Sequence, residues 1–167
     1  MRLNVKNVIL IILVTVCLIL SIFTVNLLIY KKQENERWFN NFYATIDHAI
    51  KNIQSLQQTE DTFYLVRLTE NFSKLDTLLL CEGRGLYGSS YGYLSDALFL
   101  TKDMIEEGKL LPKYKEAIVL IRSDLEEILK TKEKGSIGVL EQKLKAVFSK
   151  HGPGSDRFPF RNSSSDI

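Results

Sequence analysis

The chain has 167 residues, 45% hydrophobic and 25% charged, proportions that exclude a disordered, collagen-like or disulfide-scaffold protein. The length suffices for one domain, or for one domain with a membrane anchor. Charge falls in blocks: Arg2 and Lys6 are the only charged residues before position 31, and residues 31–167 hold 20 basic and 20 acidic side chains. The body is therefore neutral and gives no electrostatic reason to expect nucleic acid.

From Val8 to Ile29 run 22 residues without a charge. As a helix they reach about 33 Å, enough to cross a hydrocarbon core of about 30 Å. The hydroxyls of Thr15, Ser21 and Thr24 can bond back to the helix's own carbonyls, which makes them cheap in lipid. Asn26 has two readings. Close to Tyr30, Lys31 and Lys32 it is an interfacial residue; deeper in, its amide is polar glue to a partner transmembrane helix.

The apolar run is longer than the roughly 7–15 residues of a cleaved signal peptide, and Ser21-Ile22-Phe23 and Thr24-Val25-Asn26 are poor cleavage sites. No small residue directly precedes Cys17, as a lipoprotein would require. The segment reads as an uncleaved signal-anchor: residues 1–7 a short tail, 8–30 a single-pass span. Arg2 and Lys6 on one flank nearly balance Lys31, Lys32 and Arg37 on the other. The export-signal character places the body outside the cytoplasm, at the cell membrane. Cys81 is the only cysteine outside the span, so no disulfide forms within the body.

Between Lys31 and Glu82 there is neither Gly nor Pro. Phe39, Phe42, Ile46, Ala49, Ile53 and Leu56 step by 3 and 4, the seam of a left-handed helical packing. The pattern predicts one helix from about residue 7 to 57. After a break at Gln57-Gln58-Thr59, Leu65, Leu68, Phe72, Leu75 and Leu79 continue the spacing. Thr59, Glu60, Asp61 and Thr62 make its N-terminal cap. A third helix is expected from Tyr91 to Glu107, with Leu94, Leu98, Thr101 and Ile105 on its seam. Gly108 ends it and Pro112 opens a fourth, whose seam is Tyr114, Ile118, Ile121, Leu125 and Ile128. A shorter fifth, Ser136–Lys150, carries Ile137, Leu140, Leu144, Val147 and Phe148 on one face. No segment alternates with period two. The expected fold is all-α: a transmembrane helix continuing into an antiparallel helical bundle over residues 31–150, with about four core helices and a short C-terminal amphipathic helix. Residues 151–167 read as a flexible tail.

The string Gly83-Arg84-Gly85-Leu86-Tyr87-Gly88 matches the dinucleotide fingerprint by letter only. That fingerprint needs a strand before it and a βαβ unit around it, and here a heptad helix precedes it. Residues 83–93 still gather four of the nine glycines and three of the seven tyrosines. Structurally this is a helix–helix connection with rings over the bundle's end. Functionally it is a recognition loop. Tyr87, Tyr91 and Tyr93 offer flat apolar area with a polar tip, and Arg84 offers a clasp for an acidic group.

No catalytic or metal constellation is visible. His48 falls on an exposed heptad position beside Asp47, His151 follows the last helix, and no H-x-x-x-H, H-E-x-x-H or C-x-x-C spacing occurs. A Cys81–His48 pair would need two helices to meet there, which nothing demands. The adjacent carboxylates Glu106-Glu107 and Glu126-Glu127 splay around their helices. Asp47–Lys51, Glu70–Lys74, Glu126–Lys130 and Glu141–Lys145 read as solvated i, i+4 pairs. Neither cofactor nor metal is expected.

Residues 31–127 carry 12 basic and 16 acidic side chains, and residues 128–167 carry 8 and 4. The basic fifth helix therefore docks on the acidic bundle, or lies on an anionic surface. The Ile-, Lys- and Asn-rich composition is that of an AT-rich bacterial genome. The sequence carries no family's motifs. These features point to a non-enzymatic, membrane-anchored binding, scaffold or sensory module of a membrane assembly, with a protein partner or a second copy as its ligand. The alternative is an extracytoplasmic receptor holding a small molecule between bundle helices.

Overall fold

The computed structural model describes residues 5–81, 97–98, 100–102, 104–107 and 112–151. It divides into two units, Met1–Trp38 and Phe39–Ile167. Helix α1, Val5–Thr59, contributes to both.

In the first unit α1 carries a stretch long and apolar enough to cross a membrane. Every apolar side chain of this stretch is exposed; Leu10 and Phe23, for example, are more than 60% accessible. The helix satisfies its own hydroxyls there. Thr15, Ser21 and Thr24 each donate to the carbonyl four residues back, Ile11, Cys17 and Leu20, at 2.8 Å.

The second unit is a helical bundle. From α1 it buries Phe42, Ile46, Ala49, Ile53 and Leu56, all at 0% exposure. Helix α2, Thr62–Cys81, buries Leu65, Leu68, Phe72, Leu75 and Leu79. Residues 97–98, 100–102 and 104–106 are helical, with Leu98, Leu100, Thr101 and Met104 inside. Helix α3, Pro112–Leu129, buries its whole expected seam, Tyr114 through Ile128. Each fully buried Leu or Ile contributes about 1.5–3 kcal/mol, so the five-residue apolar rows of α1, α2 and α3 are what close the core. Among the described residues there is no strand.

Two corrections concern which residues face inward. Phe39, expected on the seam, is half-buried and stacks on Tyr43, centroids 6.0 Å apart. Tyr43 and Ile50 are buried instead, because a bundle helix with neighbours on two sides buries a wider stripe than a two-stranded seam. Ile105 is likewise half-buried while Met104 is fully inside.

Contacts fix the directions. Lys115 at the start of α3 pairs with Glu60 just past the end of α1. Arg122 Nη1 donates to Gln57 Oε1 at 3.1 Å. Tyr43, early in this part of α1, meets Thr131, just past the end of α3. Residue numbers fall along α1 as they rise along α3, so the two helices are antiparallel.

The α1–α2 turn has two residues. Glu60 adopts a left-handed backbone with φ 54°, and its N–H reaches Leu56 O at 2.9 Å, the αL ending usually given to glycine. The cap of α2 is Asp61, whose Oδ1 accepts the Phe63 N–H at 2.9 Å. Thr59 belongs to α1, where its hydroxyl donates to Ser55 O. After α3 a single 3-10 turn, Lys132–Lys134, ends at Gly135 with φ 55°, where lack of a Cβ removes the strain. Helix α4, Ile137–His151, then packs back on α3 and buries Leu140, Leu144 and Val147.

Candidate functional site

Arg84, Tyr87, Tyr91 and Tyr93, the expected recognition loop, lie outside the described residues, as does the tail 152–167. Asn26 is described and exposed on α1. Unlike the three hydroxyls near it, its carboxamide has no hydrogen bond among the described residues. An amide has two donors and an acceptor, and in hydrocarbon an unpaired one is costly. Asn26 is the one side-chain amide of the 22-residue uncharged stretch.

Reactive groups do not converge. Among the described residues no three His, Cys, Asp or Glu side chains are grouped to hold a metal. His48 is exposed, as its heptad position implied. It borders an open cleft of about 460 Å³ between α1 and the α3–α4 turn, lined by Tyr43, Asp47, Lys130 and Lys132 among others. Cys17 is exposed within the apolar segment.

Charged pairs form a framework for the bundle surface. Of the four expected i, i+4 pairs, Lys51–Asp47 and Lys145–Glu141 form at 2.7 Å. Glu70 instead takes Arg67 at 3.0 Å, because Arg67 sits over the Phe63 ring, 5.2 Å from its centroid, and is held on that side. Glu126 takes Arg122 at 2.8 Å, an arginine already steadied by Gln57.

The C-terminal basic helix is secured by one carboxylate. Glu127 on α3 accepts Lys143 at 2.6 Å and has Lys150 at 3.8 Å. The Lys143 hydrogen bond, with the charges of Lys143, Lys150 and Lys130, holds the Glu127 carboxyl below its ordinary value despite some burial. Of the two sequence-level options for this helix, the structure therefore shows the docked one, with basic side chains meeting acidic bundle.

A polar row lies inside the bundle. Tyr43 Oη and Thr131 Oγ1 are 2.8 Å apart and buried. The Thr131 hydroxyl donates to Ile128 O at 2.7 Å, so Tyr43 is the donor between the two. Burial pushes the Tyr43 phenol up. Asp124, one heptad before Thr131, is 0% exposed. Neither Tyr43 nor Asp124 stood out in the sequence. The usable signal was Ala117, Asp124 and Thr131 at seven-residue steps beside the apolar seam.

The two ends of the bundle differ in charge. At one end the α3–α4 turn exposes Lys130 and Lys132 with Glu133, and among the described residues neither lysine is in an ion pair. At the other end Asp61 and Glu116 are exposed, next to the paired Glu60 and Lys115. No family model, no curated protein and no solved structure matches the chain.

Proposed function

We propose that the chain is a single-pass, membrane-anchored helical bundle that works by binding, as a non-catalytic accessory or scaffold subunit of a membrane assembly, with the bundle outside the cytoplasm. One observation supports this above the others. A 22-residue uncharged helical stretch leaves its apolar side chains exposed while satisfying its own hydroxyls, a surface that water penalises and lipid does not. Asn26 then supplies the one amide for a partner helix, an interaction of about 0.6–2 kcal/mol in membranes.

Membranes bearing the full chain are washed with alkaline carbonate and probed with an impermeant maleimide, using a cysteine added in the 155–167 tail. Retention in the membrane with labelling on intact cells supports the reading. Release by carbonate overturns the anchor, and labelling only after lysis overturns the orientation.

A further inference from the structure

We infer that the cleft between α1 and the α3–α4 turn is a binding site for a small zwitterion with an apolar body, of amino-acid to dipeptide size. The site lies wholly within the second unit and does not depend on the membrane anchor.

The cleft measures about 460 Å³, and small-molecule sites run to about 300–1,000 Å³, with an apolar lining and a few placed polar groups. Tyr43, Ala44 and Leu129 supply the apolar lining here. Two of its four charged side chains are already engaged. Asp47 is paired with Lys51 at 2.7 Å, and the charge of Lys130 acts on Glu127. Lys132 and Glu133 remain. Both line the cleft and are exposed, and neither has an ion pair among the described residues, although they are neighbours on one 3-10 turn. His48 stands beside them, its ring without a hydrogen bond among the described residues.

The balance of signs selects the ligand. A simple anion meets Asp47 and Glu133 in this lining, and a simple cation meets Lys130 and Lys132. A molecule carrying both charges gives its carboxylate to Lys132 and its ammonium to Glu133, two charge-assisted bonds, each stronger than a neutral one. Its apolar body then lies along Tyr43, Ala44 and Leu129. The cleft also holds its shape without help from a ligand. The buried Tyr43–Thr131 hydrogen bond ties the turn to α1, Thr131 donates in turn to Ile128 O, and Gly135 closes the turn with φ 55°. A site already ordered spends less of its binding energy on ordering.

The full chain in detergent micelles is titrated calorimetrically with leucine and with the dipeptide leucyl-leucine. Isocaproate, which lacks the amine of leucine, and isoamylamine, which lacks its carboxylate, probe the two ends separately. Saturable binding of at least one zwitterion is expected, with each single-charge analogue about tenfold weaker. Lys132→Gln and Glu133→Gln are each expected to lower affinity about tenfold while leaving helicity unchanged, since both side chains are exposed. No saturable binding of either zwitterion to the folded chain overturns the site. Isocaproate or isoamylamine binding as tightly as leucine makes it a site for one charge only and overturns the zwitterion. Binding that survives both substitutions lies elsewhere on the protein, and the inference falls with it.

Discussion

At Glu60 a side chain occupies backbone that glycine accepts freely. A non-glycine residue in the left-handed region costs about 1–2 kcal/mol, against an exposed Lys115 pair worth about 0–1 kcal/mol. Glu60→Gly is therefore expected to stabilise the bundle by about 0.5–1 kcal/mol, after the added flexibility of the unfolded chain is set against the relief. Urea unfolding of the full chain in micelles, followed by helicity, reads this as a higher midpoint. The buried Tyr43–Thr131 pair behaves asymmetrically. Tyr43→Phe removes a donor and leaves Thr131 still bonded to Ile128 O, a loss of about 1 kcal/mol. Thr131→Val strands the phenol hydroxyl in the core and is expected to cost more, about 1–3 kcal/mol. Equal losses in the same unfolding assay would contradict the donor assignment. Asp76 offers the opposite sign. Its Oδ1 is buried without a hydrogen bond, and desolvation raises its carboxyl above the usual value while Lys102 opposes. A raised folded-state value means stability that is present below about pH 4 and lost as pH climbs through it. Asp76→Asn should thus stabilise at pH 7 and lose that advantage at pH 3.

Among the described residues of α4, three apolar side chains are buried and one carboxylate on α3 clasps the helix. Leu144→Ala is expected to cost about 2–3 kcal/mol, read as earlier hydrogen exchange in 137–151 than in α1–α3. Glu127 is the acidic counterpart: its lowered value means a contribution present above about pH 4 and lost as pH falls through the folded-state value. Replacing it by Gln should flatten that part of the stability–pH curve between pH 5 and 3. Helix number, type and most seams were legible because apolar spacing by 3 and 4 is a local property, unbroken by Gly or Pro. Details set by tertiary neighbours were not. Tyr43 and Ile50 are inside because α1 is flanked on two sides, and Arg67 leaves the spacing rule because a phenyl ring holds it near Glu70. The cap moved from Thr59 to Asp61 since the left-handed Glu60 let α1 run on two residues longer.

For the molecule as a whole, the apolar span was plain from charge alone, while a partner-binding surface was not. Aromatic and glycine content marks residues 83–93 as distinctive, yet composition does not give the arrangement of side chains that recognition needs. Asn26 stands out in one dimension as an amide in an otherwise self-satisfied apolar helix, and its role there is a proposal. Asn26→Leu should leave membrane retention unchanged and weaken association with a partner span by about 1 kcal/mol, measured as a loss of energy transfer between labelled copies in dilute vesicles if the partner is a second copy.

The Tyr43–Thr131 contact joins residues 88 apart in the chain, and that separation sets a timetable during synthesis. At about 5–20 residues per second, roughly 4–18 seconds pass between the emergence of the two partners. In that interval α1 and α2 can pair through their two-residue turn, but the flank of α1 meant for α3 has nothing to cover it. That flank stays uncovered until the later helices arrive, and slowing translation between Cys81 and Pro112 should lengthen its exposure.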